Sequence, residues 1–254
     1  MPLRRVIPIL LLKQGKLVKT KGFQKPVYVG DPINTVKIFN TKEADEIVII
    51  DIDASHRKQK PDLRLIREIA SECFMPMAYG GGISTFDEAK AVFDCGVEKI
   101  SLNTSAFHKP LLIAEIAKKY GSQSVIVSVD VKKNFWGKYQ VVIPGERTRV
   151  KADPVSYVRK AQENGAGEIL LTSIDRDGLQ TGYDLDLIHL VSASVHIPLI
   201  ACGGARNTDD FVLAVQNGAS AVAAGSMFVF QGRHQAVLIN FPSQEDLKAK
   251  LFAL

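Results

Sequence analysis

Cysteine is scarce in this chain of 254 residues: Cys73, Cys95 and Cys202 are odd in number and widely scattered. That argues against a disulfide framework and offers no zinc-ligand spacing, so no metal is expected and a reducing cytoplasm fits best. Long apolar runs are missing as well; none approaches the roughly 20 residues needed to cross a bilayer. The opening MPLRRVIPILLLKQGK has a charged head and a short apolar run but no small-residue cleavage site. It reads as a first strand rather than a signal peptide. A strong excess of one charge is also lacking, with a net charge of +5 and a pI near 9.0. Such a balance is usual for a solvated surface, and its functional reading is an anionic partner. The densest basic stretch, His56-Arg57-Lys58-Gln59-Lys60, has no interleaved aromatic residues to stack on bases, which disfavours nucleic acid.

What the chain does have is alternation. Short apolar, β-branched runs at 6–12, 47–52, 76–80, 98–103, 124–130, 168–173, 198–202 and 220–225 read as strands. Between them lie segments of helical periodicity such as Asp62–Cys73, Asp87–Cys95, Lys109–Tyr120, Pro154–Asn164 and Asp209–Asn217. Eight strands separated by helices predict an α/β fold with a parallel sheet, and eight is the number that closes a (β/α)8 TIM barrel. Residues 131–152 break the rhythm and read as a small hairpin or loop inserted after the fifth strand.

The two halves also match. EIVIIDID begins at Glu46 and EILLTSID at Glu168; PMAYGGG begins at Pro76 and PLIACGG at Pro198; both pairs are 122 residues apart. Gly96 with Gly218, and Asn103-Thr104 with Gly225-Ser226, keep the same offset. Each half supplies four strands and would leave open sheet edges, so a mid-chain split into independent domains is disfavoured. The expectation is one barrel domain over 1–254, built from half-barrels at about 1–121 and 122–240.

In such barrels the working face lies at the C-terminal ends of the strands. Gly80-Gly81-Gly82 and Gly203-Gly204 each follow a strand and precede a helix. Glycine lets backbone N–H groups approach an anion closely, and Asn103-Thr104 and Gly225-Ser226 could complete two cradles. A lone Gly-Gly is more often only a tight turn. Two copies at one offset favour a ligand with a phosphate at each end.

Three segments carry a family resemblance: GEILLTSIDRDGLQTGYD (167–184), MAYGGGIS (77–84) and KISLNT (99–104). They resemble the cyclase subunit of imidazole glycerol phosphate synthase, and the likeness runs from Arg5 to about Phe230. The resemblance implies a cofactor-free cytoplasmic barrel paired with a separate glutaminase subunit. Ammonia released by the glutaminase passes along the barrel axis to a doubly phosphorylated ribulosyl ribotide on the opposite face. It also implies an ammonia gate at Arg5, Glu46, Lys99 and Glu168, where this chain keeps the family's residue types. Read from the residues alone, the same four charges could be a static plug at the barrel bottom. The substrate cradle implied by the resemblance is Lys19, Gly82, Asn103, Thr104, Asp177 and Gly178, with Gly203, Gly204, Gly225 and Ser226.

The catalytic positions depart from the pattern. The family uses two aspartates, at the ends of strands one and five; Asp130 matches the second, but Leu11 occupies the first. Ala78, Cys202 and Val229 stand where the family usually has Thr, Ser and His, and Asp53 replaces a Thr. A hydrocarbon moves no proton, so efficient cyclisation is not expected unless Asp53 reaches the same space. Asp130 could equally be a structural carboxylate bonded to backbone N–H groups. The leading expectation is a paralogue that delivers ammonia for amidination of a surface sugar, together with a third, synthetase-type protein. The authentic cyclase of histidine biosynthesis, and a phosphorylated-effector-binding activator of the glutaminase that does no chemistry itself, are the alternatives.

Overall fold

The computed structural model describes residues 4–55, 57–143, 152–232 and 235–251. In chain order, β1 (Arg5–Lys13), β2 (Lys16–Lys21) and β3 (Gln24–Gly30) lead into α1 (Pro32–Thr41). There follow β4 (Ile47–Asp51), α2 (Leu63–Ser71), β5 (Met77–Gly80), α3 (Phe86–Phe93), β6 (Lys99–Leu102), α4 (Thr104–His108) and α5 (Leu111–Tyr120). The second half runs β7 (Val125–Lys133), β8 (Tyr139–Val142), α6 (Pro154–Glu163), β9 (Glu168–Ser173), α7 (Leu185–Ser192), β10 (Leu199–Cys202), α8 (Thr208–Gln216) and β11 (Ala221–Ala224). It ends with α9 (Ser226–Val229), the small pair β12 (Phe230–Gln231) and β13 (Ala236–Val237), and α10 (Gln244–Lys250).

Strands β1, β4, β5, β6, β7, β9, β10 and β11 pair in parallel in that circular order. The circle closes where Arg5 to Pro8 of β1 pair with Ala221 to Ala224 of β11. All eight expected strands are present, and the closed (β/α)8 barrel follows. No helix among the described residues is long and apolar enough to cross a membrane.

Strand parity sorts the side chains. Successive residues of a strand face opposite sides, and a parallel strand covered by helices buries both. In β1, Leu10 and Leu12 join the core beneath the helices, while Ile7, Ile9 and Leu11 line the axis. The axis is filled at mid-height by Ile7, Val48, Ala78, Ile126, Leu170 and Ile200. Helix starts repeat in sequence as well: Asp31 caps α1 ahead of Pro32, and Asp153 caps α6 ahead of Pro154. An accepting side chain followed by proline in the first turn is a strong start signal.

Two hairpins rise from the C-terminal rim. One is β1–β2–β3, whose first turn places Gln14 and Gly15 at positive φ. The other is β7–β8, in which Val131 pairs with Val141. The insertion expected over 131–152 is therefore a hairpin as far as Ile143; residues 144–151 lie outside the described residues, as does His56 of the basic stretch.

Candidate active site

At the N-terminal end of the barrel, parity aims Arg5, Glu46, Lys99 and Glu168 inward, one step below the apolar plug. Each base touches both acids. Arg5 pairs with Glu46 at 2.5 Å and with Glu168 at 3.0 Å, and Lys99 lies 3.0 Å from Glu46 and 3.2 Å from Glu168. The result is a closed ring of alternating charge. It is dry on one side, with the Glu46 side chain 2% exposed, and wetter at Arg5, 26% exposed.

Above the ring the axis is apolar up to one hydroxyl pair, the buried Ser101 and Ser128, whose oxygens lie 2.6 Å apart. Beyond them the barrel opens into a cavity of about 330 Å³. Into this one cavity the fold brings the candidate residues Leu11, Lys19, Gly82, Asn103, Thr104 and Asp130. Asp177, Gly178, Gly203, Gly204, Gly225 and Ser226 line it too. The two glycine segments lie across from each other, because β5 and β10, like β6 and β11, are four strands apart in a circle of eight. Gly81 and Gly204 have φ of +114° and +108°. A Cβ at Gly81 would collide with the Asp51 carbonyl, and one at Gly204 with the Gly182 carbonyl. These backbones come as close to their neighbours as only glycine allows.

β1 and β7 are also opposite, so Leu11 and Asp130 face the mouth from its two sides. Asp130 is buried and accepts from the Asn103 amide at 2.7 Å and from the Thr172 hydroxyl. Its side-chain partners are thus side chains, not the backbone N–H groups a purely structural carboxylate would use. Burial, and to a lesser degree the Asp177 charge, push its pKa up to about 7 against the two hydrogen bonds. Lys19, also buried, donates to the Ile9 carbonyl; burial brings its pKa down to about 8, with Asp177 opposing. An acid near 7 and an amine near 8 in one cavity suit proton transfer at neutral pH. Asn103 Oδ1 is buried without a hydrogen-bond partner, an acceptor aimed at something that donates.

Opposite Asp130, at the end of β1, the side chain is the hydrocarbon of Leu11. Leu11 packs on the axial apolar cluster. Asp53 lines the cavity, its carboxylate 3.3 Å from Arg57 and 3.9 Å from Lys13. Of the other departures, Ala78 belongs to the axial plug, Val229 is buried in α9 and Cys202 borders the cavity, its thiol pushed up to about 12 by burial.

Sequence reasoning missed several lining residues: Asp51, which accepts from the Asp53 and Ala54 N–H groups, Thr172, and Thr20 and Phe23 of the first hairpin. The hairpin had a signal, since Gln-Gly between two runs is turn chemistry. Thr172 had none.

Asp130 also makes the mouth costly to fold. Unfolded, it titrates near 3.8; folded, near 7. Between those values the native state holds a proton that the unfolded chain has lost, so stability falls as pH rises through the window and levels off above it. Asp130→Asn is expected to raise the melting temperature by several degrees at pH 8 and to leave it unchanged near pH 4. Thermal melts at the two pH values check this; an equal effect at both would mean the carboxylate is not protonated in the fold.

The family model described as "Histidine biosynthesis protein" matches residues 5–235. Among the relatives that carry the name "Putative imidazole glycerol phosphate synthase subunit" are two with numbered names. They are hisF2 of Pseudomonas aeruginosa, 51% identical over 96% of this chain and 98% of its own, and hisF3 of Vibrio vulnificus, 46% identical over 97% and 96%. The imidazole glycerol phosphate synthase subunit HisF of Alkaliphilus metalliredigens is 39% identical over 89% of this chain and 90% of its own. With the closed barrel, the charge ring and the glycine-lined mouth, these matches show that the chain belongs to the HisF family of imidazole glycerol phosphate synthase cyclase subunits.

Proposed function

We propose that this chain is the synthase-side subunit of a glutamine-dependent complex that serves amidination of a surface sugar rather than efficient imidazole glycerol phosphate cyclisation. It takes ammonia from a glutaminase docked under the charge ring and passes it up the axis to the mouth. There a third, synthetase-type protein holds the acetamido sugar and transfers a phosphoryl or nucleotidyl group from a nucleoside triphosphate onto its amide oxygen; ammonia attacks the carbon, the oxygen departs with that group as phosphate or nucleoside monophosphate, and an acetamidino group remains. The observation that carries the reading is a contrast along one barrel: the ring at its foot is complete, while at its head Asp130 faces Leu11. Selection for ammonia passage alone keeps the first and releases the second. Relatives whose names number a second and third copy share 51% and 46% of residues with this chain, against 39% for the Alkaliphilus subunit, which supports a paralogue. The Ser101–Ser128 pair gives ammonia a hydrogen-bonding stop in an otherwise apolar passage.

Reconstitution of the chain with its glutaminase and the sugar-handling protein tests the reading. Glutamine-dependent formation of the acetamidino sugar is expected to stop when the barrel is omitted and to return with ammonium salt. Amidination from glutamine without the barrel would end the proposal.

The mouth also keeps two cradles for a phosphorylated ligand, Gly82 with Asn103-Thr104, and Gly203-Gly204 with Gly225-Ser226. Crystals grown in sulfate are expected to hold an anion in both, or in the second if only one fills. Empty density in both would count against an anionic ligand.

A further inference from the structure

Both hairpins at the mouth present exposed aromatic surface among lysines, and the acids beside them, Asp175 and Asp184, accept hydrogen bonds from the β7–β8 hairpin. The tip of β7–β8 carries Phe135, 93% exposed, and Trp136, 80% exposed, packed edge to face with ring centres 5.6 Å apart. Solvent-exposed rings on a slack loop would mean little, but this turn is tied down. Asn134 accepts the Trp136 and Lys138 N–H groups at 2.9 and 3.0 Å through its side chain, and its own N–H donates to the Lys138 carbonyl at 2.8 Å. The hairpin is braced to the segment after β9, where the Lys133 N–H donates to Asp175 at 2.8 Å and the Tyr139 hydroxyl to Asp184 at 2.7 Å. That segment also holds the first hairpin, since the Gly22 N–H donates to the Asp177 carbonyl at 3.0 Å. Tyr28 on the first hairpin and Leu179 on the bracing segment, both exposed, extend the apolar rim.

Charge narrows the occupant. Residues 131–143 contain Lys132, Lys133 and Lys138 and no acid, and the only charged residues from Lys13 to Gly30 of the first hairpin are lysines. A second copy would set these cations against one another. Large exposed rings held rigid are the anchors that protein interfaces use, because little freedom is lost on docking.

We propose that this rim is the docking surface for a partner protein whose apolar socket is edged with carboxylates, and that this partner is the one that receives ammonia at the mouth. The proposal rests on the function above, which requires ammonia to leave the mouth into a protein and not into water. It adds where that protein sits, what it touches and what charge it bears.

Trp136 is the one tryptophan in the sequence, so a chain labelled with 5-fluorotryptophan has a single fluorine resonance at the tip. The sugar-handling protein is expected to shift or broaden it, whereas the glutaminase alone, docked at the far end, leaves it unchanged. Phe135→Ala with Trp136→Ala, and separately Lys133→Glu with Lys138→Glu, are expected to weaken binding of that protein at least about thirtyfold. Neither pair should change how tightly the glutaminase binds the far end of the barrel. A response instead to phosphatidylserine–phosphatidylcholine vesicles, to a single-stranded oligonucleotide or to the chain's own concentration would overturn the proposal in favour of that occupant. Amidination that needs the barrel but is unaffected by both variant pairs would reject this surface and leave the functional reading standing; amidination that never needs the barrel would reject both.

Discussion

Supplied with saturating ammonium and the ribulosyl ribotide precursor, this chain should turn over at least about a hundredfold more slowly than a family member with aspartate in place of Leu11. One missing acid–base group typically costs about 10²–10⁴ in rate. Ammonium salt bypasses the glutaminase and the ring, so the assay reads the mouth alone. Asp130, held near 7, can manage one proton, but ring closure needs a group on the other side, and there the side chain of Leu11 is a hydrocarbon packed on the axial apolar cluster. Asp53 is not expected to replace the missing acid, because its carboxylate is engaged by Arg57 and Lys13. Leu11→Asp is expected to recover only part of the rate. A carboxylate there would sit against the apolar axis, and Ala78, Cys202 and Val229 would still lack the polar atoms the cyclase resemblance calls for. Turnover in the ordinary range for the unmodified chain would end the paralogue reading outright.

The barrel was legible because parallel strands buried on both faces read as unbroken apolar runs, and because the 122-residue offset held from Glu46 to Ser226. Met77 with Leu199, Lys99 with Ala221, and Thr104 with Ser226 begin matching elements at that spacing. The same offset joins Asp31-Pro32 to Asp153-Pro154, a helix start that pattern reading could have used for α1. The first hairpin was less legible: its outer strand, Gln24–Gly30, is mostly exposed and mixes charge with isolated aromatics, so no apolar stripe marks it. Ser101 and Ser128 look like any strand serines until the sheet curls and sets them side by side. The four ring charges were named through a resemblance; from composition a plug and a passage read alike. Strand parity turns all four inward and the distances close the ring, yet a closed ring is what both readings require.

Charge reversal separates them. Lys99 touches both acids, so Lys99→Glu places three carboxylates around Arg5 alone. Removing one partner of a buried ion pair costs about 3–5 kcal/mol, and less at a site such as this, open to water on the Arg5 side. A barrel with a continuous apolar core should absorb that and stay folded, with the ring relaxing outward. If ammonia enters here only when one lysine swings aside, a ring held open lets water in and ammonia out. The complex with the glutaminase is then expected to hydrolyse several glutamines for each product formed, and to dock its partner more weakly. Lys99→Met, which keeps the bulk and drops the charge, should fall between the two. The measurement is glutamate released against product formed in the reconstituted complex, with a thermal melt to confirm the fold. One glutamine per product after Lys99→Glu, at unchanged partner affinity, would mean that the ring is a static plug and that ammonia reaches the mouth by another route.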